Sequence, residues 1–511
     1  MVIQNSSLFD SQIGAVFTPL RWAKWLVNQF DLISKWTAGA AICDPTAGEG
    51  VFVHALTSVA EERSIEVNDA MLSRLFLFES DATALKKFRS FFRFKYGRDF
   101  PERNLLQCDI VLDNPKQQFD ILVGNPPWAN FNDLPSGYKE ILKPEFIRRG
   151  MVDDLQALLL GSARVDLAAL VVSVTLDLNL KNGGEAFFFV PLSLFVGEGA
   201  HSGFRKSCLV SPAYELAGVW DFRESHVFPE VSTRFGVAHF RKGSRTQFPI
   251  PYKIESKSGW VSHLAAPIGD LSAPLSIARS QDELEELTPS TLIELREDQK
   301  PRQGVNTCGA NGVFVFDEPP KELPSKFLFP LITKESFRGS QIPKKYILIP
   351  YEARTGRVLD EATLLKYPIL HNYFVANKQS LVRRKGVMLN ASIKRGTWWA
   401  CLGVGRYSFA PFKVVWEAYG QKEFKPRVFS SVDDKPWQAN QAMHAFIPCS
   451  TSREAEEICE CLVTSNIERY LKSLNAQGTC NWAQPGRIKR FLRFKKEKVS
   501  TEEFQFSSSA S

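Results

Sequence analysis

The chain has 511 residues, too many for one ordinary core, and its 44% hydrophobic and 23% charged residues describe a globular protein of two or more domains. A net charge of +7 permits a polyanionic partner; no run reaches the roughly 20 apolar residues of a membrane span, and Met1-Val2-Ile3-Gln4 does not start a secretory signal. Nine cysteines without a CxxC pair and seven scattered histidines predict a reducing, cytoplasmic setting and no metal centre. In chain order, residues 20–30 read as a helix that starts at Thr18 and Pro19. A strand over 41–43, a Gly-bearing loop and a helix over 50–61 follow. The strand over 75–79 ends in Glu79 and leads to a helix over 82–92. A strand-like run over 105–108 precedes Asp109, and the apolar strand 121–123 runs into Gly124. A helix over 167–180 and strands over 186–190, 216–220 and 235–240 complete this half. The alternation predicts an α/β protein with a doubly wound, Rossmann-like, mostly parallel sheet, and ligands at the carboxyl ends of its strands.

Composition changes after Lys242. Residues 243–275 are rich in Ser, Pro and Lys, and 281–300 read as an acidic helical stretch interrupted by Pro289. The expected organisation is a ligand-binding domain over 1–245, a linker and helical connection over 246–300, an α+β domain over 301–500, and a flexible tail over 501–511. The second domain is basic and aromatic. Lys344-Lys345, Arg383-Arg384-Lys385, Lys394-Arg395, Arg406 and Lys422 are interleaved with Tyr346, Tyr373, Trp398, Trp399, Tyr407 and Trp416, and 487–498 carries seven Lys or Arg against one Glu. Such a surface suits phosphates and base edges.

Four motifs carry chemistry. Asn125-Pro126-Pro127-Trp128 is a stiff turn after a buried strand. Its prolines remove two N–H donors and leave nearby carbonyls free to accept. With the Asn125 side chain and the Trp128 plate, the turn suits a planar ring bearing an amino group. Asp44-Pro45-Thr46-Ala47-Gly48-Glu49-Gly50 is a strand-to-helix loop whose glycines admit a close ligand, near a helix N-terminus that favours an anionic group. Glu79 at the next strand tip suits two ribose hydroxyls, and Asp109 suits an exocyclic adenine amine.

In this order the motifs resemble the gamma class of S-adenosylmethionine-dependent adenine-N6 DNA methyltransferases. The resemblance sets Phe17, Thr18 and Pro19 over the methionine end of the cofactor. It makes Asp44, Pro45, Ala47, Gly48 and Gly50 the methionine-binding loop, with Glu79 on the ribose and Asp109 on the adenine. Asn125, Pro126, Pro127 and Trp128 match the catalytic motif, with Asn125 also beside the cofactor. Phe228, in Val227-Phe228-Pro229, matches the aromatic that packs on the other face of a flipped base. Where members carry a basic residue soon after it, this chain has Glu230-Val231-Ser232 and then Arg234. Residues 302–314, 398–413 and 478–485 resemble target-recognition segments of restriction-associated relatives.

The resemblance implies a methyltransferase sheet followed by a target-recognition domain, S-adenosylmethionine as cofactor and no metal. It also implies double-stranded DNA as partner, with a separate restriction nuclease or defence-system subunit as a further one, and no membrane. The localisation implied is a prokaryotic cytoplasm, at the nucleoid when bound to DNA. The expected function is site-specific methylation of adenine N6 for a restriction-modification or phage-defence system. The alternative is an RNA or protein-glutamine N-methyltransferase, since an Asn-Pro-Pro turn also serves those substrates. Glu255-Ser256-Lys257 and Glu423-Phe424-Lys425 are the only Glu-x-Lys spots a nuclease would tempt one to choose, and neither has a convincing Asp and strand setting.

Overall fold

A computed structural model describes residues 17–152, 165–197, 200–225, 227–228, 233–289, 292–419, 423–474 and 482–495. Residues 14–16, 229–232, 420–422, 478–481 and 496–511, on which parts of the motifs, some of the basic residues and the tail fall, lie outside the described residues. The chain divides into two compact units, Met1–Glu286 and Leu287–Ser511.

The first unit is built on a ten-stranded sheet. Its strands are β1 Ile42–Asp44, β2 Leu75–Glu79, β3 Leu105–Gln107, β4 Phe119–Gly124, β5 Leu180–Pro191, β6 Tyr214–Asp221, β7 Phe235–Lys242, β8 Ile250–Ser256, β9 Gly259–Pro267 and β10 Leu275–Ala278. Their spatial order is β3-β2-β1-β4-β5-β7-β6-β8-β9-β10. The first five strands run parallel, whereas β7 is antiparallel to both β5 and β6. Residues of β5 alternate between two cores. Ala186, Phe188 and Val190 belong to one, Phe187 and Phe189 to the other. A sheet buried on both faces explains the near-continuous apolar runs in the sequence.

Helices cover both faces. They include α1 Leu20–Gln29, α2 Leu32–Thr37, α3 Val51–Glu62, α4 Asp69–Leu72, α5 Ala82–Tyr96, α6 Ser136–Arg148 and α7 Leu167–Leu178. Local chemistry fixes their ends. Asp81 Oδ1 caps α5 by accepting from the Thr83 N–H at 2.7 Å, and Asp166 Oδ1 caps α7 by accepting from the Ala168 N–H at 3.1 Å. The expected α/β sheet is therefore present. Because β1 lies between β2 and β4, chain order reverses on either side of it, and the crevice beyond the tips of β1 and β4 is the topological switch point.

Two expectations are corrected. Residues 246–300 do not form a linker: β8, β9 and β10 extend the first sheet, and the unit ends at Glu286. Ile250, Tyr252 and Ile254 alternate into the core, but β9 is mostly only half-buried, so its Ser and His residues disguise an outer strand as a connection. Among its described residues the acidic stretch is α-helical over Gln281–Glu286 and forms a short 3-10 turn over Glu297–Gln299. Between them, β11 Ile293–Arg296 pairs in parallel with β21 Leu492–Lys495, a partner about 200 residues away.

The second unit is α+β. Strands β12 Arg302–Gln303, β20 His444–Cys449, β18 Phe412–Glu417 and β19 Arg427–Ser430 form an antiparallel four-stranded sheet. Strands β13 Val315–Phe316, β15 Tyr346–Leu348 and β14 Leu328–Pro330 form a three-stranded one. Part of the basic-aromatic pattern is core. Trp399 and Trp416 are fully buried and donate their indole N–H to Leu359 O and Ala483 O, at 2.9 and 2.7 Å. Arg384 is buried too, and its guanidinium donates to the carbonyls of Leu381, Thr307 and Trp398. Lys344, Lys345, Arg383, Lys385, Lys394, Arg395 and Arg406 remain exposed. Among the described residues no helix is long and apolar enough to cross a membrane.

Candidate active site

Asp44, Glu79, Asp109 and Asn125 stand at the ends of β1, β2, β3 and β4 or one to two residues beyond, and all four line one cavity of about 890 Å³ at the switch point. Phe17, Thr18, Pro45, Ala47, Gly48 and Pro127 line it as well. Parallel register produces this grouping. Asp44 pairs with Leu77 of β2, and Glu79 with Gln107 of β3, so successive strand ends come out on one edge.

The loop after β1 is tied down at each step. The Thr46 N–H donates to Asp44 Oδ1 at 3.1 Å, and the Ala47 N–H donates to the Phe78 carbonyl at 3.0 Å. The Gly48 N–H donates to Glu79 Oε2 at 2.7 Å, while the Asp81 N–H donates to Glu79 Oε1 at 2.9 Å. Gly50 has φ +76°, and a Cβ there would lie 2.2 Å from the Phe88 ring, so conformation and packing both require glycine. Gly50 turns the chain into α3 rather than lining the cavity. Gly124 serves a different end: a Cβ there would lie 2.9 Å from Asp44 Oδ1. Burial holds the Asp44 carboxyl well above the usual carboxylate range.

Asp109 accepts the Val111 and Leu112 N–H groups on Oδ1, at 2.9 and 3.2 Å, and the Tyr138 hydroxyl on Oδ2 at 2.8 Å. Tyr138, on α6, lines the cavity with Ile110, Val111, Leu167 and Val171. None of these five was visible as a site residue in the sequence. They are apolar or aromatic residues on helical or loop segments, brought in by the fold. Thr46 was likewise missed; its Oγ1 is buried and makes no hydrogen bond with any described residue.

The Pro-Pro turn is held from two sides. Thr18 is buried, and its Oγ1 accepts from Asn125 Nδ2 at 3.1 Å, which directs the amide oxygen away from Thr18. Past the turn, the Leu167 N–H donates to Ala129 O and the Phe131 N–H to Val165 O, both at 2.8 Å, strapping the segment to the start of α7. Phe17, by contrast, is 68% exposed.

Asp166, in this strap, is pushed up to about 7 by burial. A carboxyl raised on folding stabilises the fold fully below its unfolded value near 4, and that contribution disappears as pH rises through 7. Asp166→Asn keeps the cap without the charge. It should gain on the order of 3 kcal/mol over the unsubstituted chain at pH 8, and little near pH 4. Urea unfolding at the two pH values checks this.

Trp128 meets Phe228 edge-on, with centroids 4.9 Å apart and planes at 80°, and stacks on Phe235 at 5.8 Å. The fold thus brings Phe228 to Trp128, but in contact, leaving no room for a ring between them. The turn preceding Phe228 is anchored from β8. Glu255 Oε2 accepts the N–H groups of Arg223, Glu224 and Ser225 at 3.1, 3.1 and 2.9 Å, and its Oε1 takes the Ser225 hydroxyl. Glu255 is therefore committed to a backbone nest and not to a nuclease site. No group of three or more His, Cys, Asp or Glu side chains among the described residues could hold a metal ion.

The sheet order and the cavity at its switch point define a Rossmann-like α/β protein with a large second unit. By sequence, the chain is distantly homologous to type II DNA methyltransferases. It is 25% identical over 248 residues to the type II methyltransferase M.HincII of Haemophilus influenzae, covering 48% of this chain and 40% of the relative. It is 28% identical over 131 residues to M.AccI of Acinetobacter calcoaceticus, covering 25% of this chain and 20% of the relative. The chain thus matches about two-fifths or less of these relatives' length. No family model matches. Among solved structures, the fold is similar to the type IIL restriction-modification enzyme MmeI in complex with DNA, with TM-score 0.53 at 12% identity over 91% of this chain and 64% of that one. The DrdV–DNA complex is similar with TM-score 0.50 at 13% identity, over 93% and 56%.

Proposed function

We propose that the chain is a gamma-class DNA methyltransferase that uses S-adenosylmethionine to methylate N6 of an adenine, as the modification component of a restriction-modification or phage-defence system. The observation that carries this reading is the meeting of three strand-tip acids with Asn125 and Pro127 of the Asn125-Pro126-Pro127-Trp128 turn around one cavity at the switch point. The homology to type II methyltransferases and the DNA-bound structures of similar fold support it.

The residues present fit the cofactor. Glu79 Oε2 spends one lone pair on the Gly48 N–H and keeps the other for a ribose hydroxyl, while Oε1, which accepts from the Asp81 N–H and the Ser80 hydroxyl, would take a second ribose hydroxyl in place of Ser80. Asp109 Oδ2, beside Ile110 and Val111, can still accept from an adenine amine, and the unsatisfied Thr46 hydroxyl offers a polar contact. The loop from Asp44 to Gly48 would hold the methionine end under Phe17, Thr18 and Pro19, with Gly50 setting the turn. When bound, S-adenosylmethionine supplies an electrophilic methyl group.

The protein's own part is positioning. An adenine N6 lone pair is delocalised into its ring, so the amine is a weak nucleophile. The Asn125 side-chain oxygen and the Pro126 carbonyl would accept hydrogen bonds from its two N–H groups, drawing nitrogen toward tetrahedral geometry and localising the lone pair. Both acceptors bind more tightly as positive charge develops on nitrogen. The bond between Asn125 Nδ2 and Thr18 presents the oxygen rather than the nitrogen to the amine. Flipping the base costs a few kcal/mol. Stacking on Trp128, and on Phe228 once that ring turns out of its edge contact, would offset on the order of 1–3 kcal/mol per aromatic. The second unit would bind and read DNA.

The test is tritium transfer from labelled S-adenosylmethionine to unmethylated DNA, with RNA and protein in parallel. N6-methyladenine in the DNA digest, lost in Asn125→Ala, would support the reading. Label in RNA or protein alone would replace it.

A further inference from the structure

Tyr138 belongs to none of the motifs legible in the sequence, yet it supplies the one side-chain hydrogen bond that Asp109 receives among the described residues. It sits in the first turn of α6. Tyr138, Leu142 and Phe146 are spaced four residues apart and so share one face of that helix. Leu142 and Phe146 are fully buried in one of the two cores that flank the sheet, and Tyr138 packs against the same core. Phe146 in turn meets Phe131 edge-on, with centroids 5.1 Å apart. Packing thus holds the ring in place, and a phenylalanine would fill the same space. What the tyrosine adds is its hydroxyl, which donates to Asp109 Oδ2 at 2.8 Å. Burial, and the Asp109 carboxylate beside it, hold the phenol proton well above its usual range, so the hydroxyl remains a donor at neutral pH.

Asp109 has need of such a partner. It stands two residues past β3, so strand register does not aim its side chain. Its Oδ1 accepts two backbone N–H groups, from Val111 and Leu112. A carboxylate oxygen has two lone-pair sites, so Oδ1 is full and Oδ2 carries the acceptor capacity that remains. With one site of Oδ2 taken by Tyr138, the direction of the last one is set. Asp109 and Tyr138 both line the cavity, beside the apolar Ile110, Val111, Leu167 and Val171. One directed acceptor in an apolar wall suits a single N–H on a flat ring. An acceptor already held in place is also cheaper to engage than one that binding must first order.

Resting on the cofactor reading above, we propose that Tyr138 is a positioning residue for the cofactor's adenine, fixing the Asp109 oxygen that receives the exocyclic amine. It acts through Asp109 and not on the ring itself, so its effect is confined to ligands that carry that amine.

The test uses the full chain and equilibrium binding of two ligands. One is S-adenosylhomocysteine; the other is its analogue with hydrogen in place of the 6-amino group. The unsubstituted chain should bind the amine-bearing ligand about tenfold more tightly, the size of one hydrogen bond to a charged acceptor. Tyr138→Phe should remove most of that preference by weakening S-adenosylhomocysteine alone, because the analogue asks nothing of Asp109. Asp109→Ala should abolish the preference, and Tyr138→Phe added to it should not change the ratio further. Binding of the analogue also reports that each variant still folds its cavity. A preference left intact in Tyr138→Phe would overturn the proposal, whether both ligands weaken together, as a packing role requires, or neither does. So would the lack of any preference in the unsubstituted chain. Methyl transfer is read separately. A chain that shows the expected binding but methylates no DNA would sink the methyl-transfer reading and not this proposal, and a chain that binds neither ligand would sink both.

Discussion

Replacing Asn125 by alanine should lower methyl transfer about 10²–10³-fold while S-adenosylmethionine binding stays near that of the unsubstituted chain. The expected size is that of losing one preorganised electrostatic contact to the reacting group. Alanine removes the side-chain acceptor but leaves the Pro126 carbonyl, so residual transfer should survive. Thr18 gives a graded companion. Thr18→Val removes the hydroxyl that accepts from Asn125 Nδ2 at 3.1 Å, which weakens the hold on the amide's orientation toward the amine. One hydrogen bond of about 1.4 kcal/mol corresponds to a tenfold fall in kcat, and Thr18→Ser should recover most of it. Single-turnover transfer alongside equilibrium cofactor binding separates the effects. A Thr18→Val variant that lost cofactor affinity but kept its turnover rate would show that Thr18 serves the cofactor and not the amide.

Asp221→Ala should cost the first unit about 3–5 kcal/mol, because it breaks a buried ionic network from the inside. Asp221 is completely buried, and its Oδ2 accepts from Arg223 Nη2 at 3.0 Å, from Arg234 Nη2 at 2.5 Å and from the Tyr252 hydroxyl at 3.1 Å. Alanine would remove the carboxylate that both guanidinium groups share. Chemical denaturation should show a lower midpoint with unchanged slope. Asp221→Asn should fall between, since it keeps an acceptor but not the charge. If alanine cost under 1 kcal/mol, the network would be a solvated one and not a support of the site.

The four sharp motifs were legible because their spacing follows from the fold class alone. A parallel strand must end, turn and return through a helix before the next strand ends on the same edge. Apolar runs closing in Asp44, Glu79 and Asn125 therefore declare three neighbouring tips of a sheet, and Asp109 stands two residues beyond a fourth. The starts of the helices at Ala82 and Leu167 were legible from their apolar patterns, but their ends were not: the first runs on to Tyr96, and the second stops at Leu178, before β5 begins at Leu180. The outer strands were not. β8 to β10 carry the polar residues of a sheet margin, and β11 finds its partner in β21 only after about 200 residues. Pairing at that distance leaves no trace in local periodicity.

Side-chain roles divided along the same line. The sequence by itself determined which residue types gather at the strand ends, because side-chain chemistry and strand period are local properties. Only the tertiary structure decided that Tyr138 holds Asp109, that Thr18 turns Asn125 and that Glu255 anchors a turn rather than a metal. It also decided that Trp399, Trp416 and Arg384 are core instead of a nucleic-acid surface. Each of those outcomes depends on a partner from a distant segment and on burial. Burial is set by how the layers pack, not by any residue's neighbours in the chain.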